Sequence, residues 1–420
     1  MPRFVLSCAL LCVAGAVPAR AQQAGDVVLQ VPKFDNQDKF RTALRDDAAA
    51  PKDILDSCDT AARHYVYRLT TVYRPSERTT LPKVPNRMAQ VAREVETWFR
   101  EVYGAEAKNA AIQQQVGKRA AAALETILKN PQQLPIVRVN AARLLAQLAA
   151  LSGVEETADP CVGVVTGEYF KKDAGGEKEV DGVRYWALRG LSNLLARTNG
   201  TAGVKDAKRR AAILAALVQF IERPSPLSKV AKPEEVEGVR MVRREAVRAL
   251  AQARDPGAAG PDSHAALTLL RVAARDKGLV PEPRTDELVE AVVGLCQMRP
   301  DKDIQPGYVG YHVARCFREL ARRYQGRGQI KKPEPWKVHG ARLVDALKAF
   351  QAAHPTDATV RQAATLAIPV VTDIEKGVPP GGAAGRLAAW VEGTTPSQTS
   401  VYKSDPKSTV TPAEDSGGGS

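Results

Sequence analysis

Val137-Arg138-Val139-Asn140-Ala141-Ala142-Arg143-Leu144-Leu145-Ala146-Gln147-Leu148 is a pattern that the chain repeats. It returns at 183–194, 242–253 and 360–371, and in weaker form at 309–320. With the Val as position zero, positions zero, four, eight and eleven are apolar. They read Val137, Ala141, Leu145, Leu148; then Val183, Ala187, Leu191, Leu194; then Val242, Ala246, Leu250, Ala253. The last copy gives Val360, Ala364, Ile368, Val371, and the weak copy Val309, Val313, Phe317, Leu320. At about 100° per residue these positions form one narrow stripe on a helix. Position four is Ala in four copies, and a small side chain there lets a neighbouring helix approach closely.

Arginine recurs at two other places. Position one holds Arg138, Arg184, Arg243 and Arg361, at the edge of the stripe, where half-buried, paired guanidiniums are expected. Position six holds Arg143, Arg189, Arg248 and Arg315, about 150° from the stripe centre. This second set is expected to form an exposed ladder, its arginines solvated or paired with acids on adjacent repeats.

The Val-Arg-x-x-Ala-x-x-x-Leu pattern resembles the second helix of a HEAT or armadillo-type repeat, over roughly residues 105–375. The resemblance implies an all-α solenoid of stacked antiparallel helix pairs, with the second helices lining a concave binding surface. Spacings between copies are irregular and mostly longer than a HEAT unit of about 40–47 residues. The Asp that often precedes the Val by three residues is present only as Asp357.

Around this core the chain divides as follows. Residues 1–21 read as a secretory signal peptide: Arg3, an apolar run from Phe4 to Val17, then Ala19-Arg20-Ala21 as a cleavage site. The apolar run is too short to span a membrane. Export to the periplasm or the extracellular space follows. Residues 22–104 read as a helical cap or divergent repeat, 105–376 as the repeats and 377–393 as a closing segment. Residues 394–420 are Ser, Thr, Pro and Gly with few apolar positions, and read as a disordered tail.

The formal net charge is +13, which suits an anionic partner. No base-stacking aromatics accompany the basic residues, and export argues further against nucleic acid. Cys58, Cys161, Cys296 and Cys316 remain after cleavage; Cys296 and Cys316, on the two helices of one expected repeat, are the first choice for a disulfide. His312 and Cys316 share a helical face, but no second ligand pair completes a metal site. The sequence holds no phosphate loop, haem-attachment sequence, His-Glu-x-x-His or Gly-x-Ser-x-Gly, so it suggests no cofactor and no catalytic residues. The expectation is a non-catalytic binding or scaffold protein with a protein partner. Tyr185 and Trp186, beside Arg184, are the best local candidates for a contact anchor, since aromatics and arginine dominate interface energies, with core packing the other use of Trp186. The alternatives are an anionic-polymer binder using Arg143, Arg189, Arg248 and Arg315, and an enzyme on a HEAT-like scaffold.

Overall fold

A computed structural model describes residues 28–71, 85–170, 181–224, 227, 231–257, 264–326 and 335–413. The expected signal peptide lies outside the described residues. Those residues form 15 α-helices and no named strand. They are α1 (Gln37–Arg45), α2 (Lys52–Thr71), α3 (Pro85–Val102), α4 (Ala110–Lys129), α5 (Pro135–Ser152), α6 (Ala158–Val165), α7 (Asp181–Arg197) and α8 (Ala207–Glu222). There follow α9 (Pro233–Ala253), α10 (Ala265–Ala273), α11 (Thr285–Cys296), α12 (Pro306–Gln325), α13 (Trp336–Ala353), α14 (Ala358–Lys376) and α15 (Gly381–Gly393).

Local chemistry sets the helix ends. Asn109, Asp206 and Asp357 cap α4, α8 and α14, each side chain accepting from a backbone N–H of the first turn. Pro135 sits in the first turn of α5, where its missing N–H costs nothing. Gly153 and Gly377 end α5 and α14 at φ 63° and 79°, in the left-handed region.

Packing is pairwise and sequential. The odd-numbered helices α3, α5, α7, α9, α11 and α13 each pack on the next in that file. The even-numbered helices α2, α4, α6, α8, α10 and α12 form a second file. Each even helix from α4 to α10 also packs on the odd helix that follows it, and α14 packs on both α12 and α13. The apolar stripe faces inward as the spacing requires: Val137, Ala141, Leu145 and Leu148 are buried, as are their counterparts in α7, α9 and α12. Ile368, in α14, is the half-buried exception. The core is one continuous cluster from Phe34 to Val410, so the front portion shares the core of the repeats. Close crossings use small residues: a Cβ on Gly294 of α11 would lie 2.6 Å from the Cβ of Ala251 on α9.

Two expectations need correction. The copies do not all occupy equivalent places: those at 137, 183 and 242 lie in the odd file, whereas the weak copy is α12 in the even file. Among the described residues two α-helices, α10 and α11, intervene between the third copy and the weak one, where single α-helices separate the others.

The second correction concerns the tail. Residues 394–413 are seated as a helix-free strap that folds back on itself, the Val401 N–H donating to the Ser408 carbonyl at 2.8 Å; 414–420 lie outside the described residues. Val401, Tyr402 and Val410 are buried. The Gln305 N–H donates to the Val401 carbonyl at 2.8 Å, the Lys403 N–H to the Asp303 carbonyl at 2.8 Å, and the Lys277 N–H to the Thr411 carbonyl at 3.1 Å. The composition is that of a disordered segment, but backbone hydrogen bonds and three apolar anchors supply the ordering energy.

Candidate protein-binding face

Positions two and three of the second copy place Tyr185 and Trp186 at the margin of the α7 stripe, half-buried against the core. Their rings meet edge to face, with centroids 5.4 Å apart at 85°. Arg189, one turn on, lies 5.6 Å over the Trp186 ring, and its Nη1 donates to the Tyr185 hydroxyl at 3.2 Å. Arg189 is exposed. Immediately before the repeat Val stand Ile136 on α5, Gly182 on α7 and Met241 on α9. Ile136 is 45% exposed and Met241 49%, so this row of the odd file offers apolar surface beside the aromatic pair.

The expected exposed ladder is not one. Of its four arginines only Arg189 is exposed; Arg143, Arg248 and Arg315 are half-buried. Arg143 Nη2 lies 2.8 Å from Glu96 of α3. Arg248 Nη2 lies 2.8 Å from Glu290 of α11, and its Nη1 3.1 Å from Glu245 of its own helix. Arg315 belongs to the other file. The reason is geometric. Position six points away from its own helix's core stripe, but a neighbouring helix of the file, α3 for Arg143 and α11 for Arg248, rises beside it and brings a carboxylate within reach. Pairing with acids on adjacent repeats, the other expectation for these residues, describes Arg143 and Arg248.

The pairing is densest where α9 meets α11. Arg243 binds Glu287 through both nitrogens, Nε to Oε1 at 2.6 Å and Nη2 to Oε2 at 3.3 Å. Arg244 reaches Asp286 at 3.0 Å, and Glu290 is shared between Arg248 and Arg342 of α13. Burial pushes the Glu290 carboxyl up, but its two guanidiniums outweigh that and hold it below the usual range. At Glu287 burial wins over Arg243 and the carboxyl is raised. The sequence did not reveal these acids, because each lies 42 to 52 residues from the arginine it meets on another helix, a separation no local pattern reports.

At position one, Arg138 and Arg184 lie 4.6 Å and 5.4 Å from the Phe170 ring, Arg243 is buried, and Arg361 departs from expectation by being exposed. The four cysteines are buried free thiols, so the expected bridge between Cys296 and Cys316 is not formed. Burial pushes the Cys316 thiol up to about 12, which makes it a poor nucleophile. His312 packs against the Tyr308 and Tyr311 rings, and burial pushes its imidazole down to about 3. No group of three His, Cys, Asp or Glu residues that could hold a metal occurs among the described residues.

A cleft of about 580 Å³ opens where the start of α4 and the ends of α5 and α7 meet the segment leading into α8. Its acids already have partners: Glu155 accepts from the Lys205 and Asp206 N–H groups, and Glu156 pairs with Lys118. No described helix is long and apolar enough to cross a membrane. No protein family matches the chain, and no curated protein is detectably similar to it.

Proposed function

We propose that this is an exported, non-catalytic binding protein whose helix pairs stack as a HEAT-like solenoid, and that it holds a protein partner on the α5–α7–α9 face. The observation that carries the reading is the Tyr185–Trp186–Arg189 cluster. A rigid aromatic pair with an exposed arginine is the composition that dominates interface energies. It lies in a file where Arg143 and Arg248 are already tied to carboxylates, and Ile136 and Met241 extend it with exposed apolar surface. The same ion pairs weaken the anionic-polymer alternative, because two of its four cations are already neutralised.

The test is a comparison of wild type with Trp186→Ala and Arg189→Ala, each immobilised and exposed to the soluble proteins of its own compartment. A defined protein retained by wild type and lost from both variants, at unchanged helical content, supports the reading. Equal retention by all three sinks it. A parallel salt series on heparin separates the alternatives: steep, salt-sensitive retention lost in Arg189→Ala would favour the polymer.

A further inference from the structure

The strap carries an inference about a second surface, independent of the α7 face. Residues 394–413 contain no helix and lie against residues far from them in sequence. The pairing is mostly through main chain. Besides the bonds to Gln305, Asp303 and Lys277, the Ala413 N–H donates to the Arg275 carbonyl at 3.1 Å, and the Thr411 N–H to Asp276 Oδ2 at 2.8 Å. Two isolated bridges result, Asp276 with Pro412 and Ile304 with Tyr402, both antiparallel.

Side chains add the selectivity. Tyr402 is 1% exposed; its hydroxyl donates to the Pro256 carbonyl and accepts from the Ala266 N–H at 3.2 Å, and its ring lies against His264 at 4.8 Å. The next residues turn outward, where Asp303 holds Ser404 through both its N–H and its hydroxyl. Val410 enters further on, its N–H donating to the Tyr308 hydroxyl at 3.2 Å. The segment is looped, the Val401 N–H donating to the Ser408 carbonyl at 2.8 Å and the Tyr402 N–H to the Ser408 hydroxyl at 3.0 Å; main-chain bonds supply affinity and side-chain pockets specificity when a protein holds such a peptide.

We propose that the groove formed by α10, the start of α12 and the loops at 275–277 and 301–305 is a peptide-recognition site, occupied in cis by the chain's own tail. Its ligand is a looped segment with a buried Val-Tyr pair, then Ser-Asp, then a serine that closes the loop back onto the Val-Tyr main chain, then a second buried aliphatic residue. The tail is an internal competitor. A short tether raises its effective concentration to about millimolar, so modest intrinsic affinity keeps the groove filled while leaving it displaceable.

The experiment uses full-length protein and a fluorescent peptide copying residues 396–413. In wild type the cis tail blocks the groove. Tyr402→Ala removes the main anchor of the tail and leaves the groove itself intact. Saturable peptide binding to Tyr402→Ala, on the order of a hundredfold tighter than to wild type, is the expected result. Adding Asp303→Ala to that variant should abolish most of it. No binding to a folded Tyr402→Ala protein overturns the proposal. Hydrogen exchange on wild type keeps the test open should that variant fail to fold. The Lys403, Thr411 and Ala413 amides should exchange through local release, well before those of Leu145 and Leu191. Exchange of both sets only on global unfolding would mean that the tail is a fixed part of the fold and the groove is never vacant.

Discussion

Replacing Arg243 with Met tests whether the α9–α11 contact is held by charge. Arg243 is 5% exposed and Glu287 is fully buried; two hydrogen bonds join them. Removing the guanidinium leaves a carboxylate in a closed apolar site, with the Arg284 backbone N–H as its remaining cross-loop donor at 2.9 Å. Breaking one side of such a pair typically costs about 3–5 kcal/mol. Removing both charges costs far less, because the penalty lies in the stranded ion. Arg243→Met/Glu287→Leu should therefore recover most of the loss, retaining about 1 kcal/mol from the vacated Arg284 N–H. Urea unfolding followed by far-UV circular dichroism reads all four corners of the cycle. The pH dependence has a fixed sign. Burial raises the Glu287 carboxyl above its ordinary 4.5, so the folded state takes up a proton more readily than the unfolded chain. The stability linked to this proton is full at low pH and fades as pH rises through the folded value. The deficit of Arg243→Met should accordingly shrink as pH falls from neutrality towards about 5. A single variant that loses under about 1 kcal/mol, or a double variant as unstable as the single, would refute the reasoning.

Two further outcomes are expected. His312 is held neutral, its value pushed from 6.5 to about 3 by burial and by Arg315. Below pH 6.5 the unfolded chain binds a proton that the folded state refuses, and stability falls by up to about 1.4 kcal/mol per pH unit. His312→Phe should flatten that slope in acid titrations of the unfolding midpoint, leaving what His339 and His354, shifted in the same direction, contribute. Gly294→Ala should destabilise by about 1–3 kcal/mol, because its methyl would meet the Ala251 Cβ at 2.6 Å and Cα at 2.8 Å across the α9–α11 crossing. A neutral result in thermal melts would mean that the two helices can separate freely there.

The helical core was legible because burial leaves a periodic trace. Every stripe residue of the first three copies is buried, and so are those of the weak copy. Helix ends were legible where a cap marks them, as at Asp357 and Gly377. The change of file after α9 was not, because nothing in the stripe of α12 distinguishes one file from the other. The pairing of Arg143 and Arg248 was hidden for a different reason: one helix's periodicity fixes direction from its own axis, while exposure depends on the neighbour. Tyr185 and Trp186 stood out in the sequence because aromatics are scarce in this chain, and the structure seats both half-buried against the core. The strap was missed because its bonds are main chain, and composition does not report main-chain bonds.

The strap also sets a clock. Tyr402 is made 146 residues after Pro256, the carbonyl its hydroxyl will meet. At about 5–20 residues per second that span takes roughly 7–30 s to synthesise. Within that interval α10, and later the start of α12, are made and wait without their cover, although the helices before them can already pack. A frameshift or stop codon near residue 394 would thus uncover α10 and the start of α12, far upstream, in a part of the message it leaves unchanged.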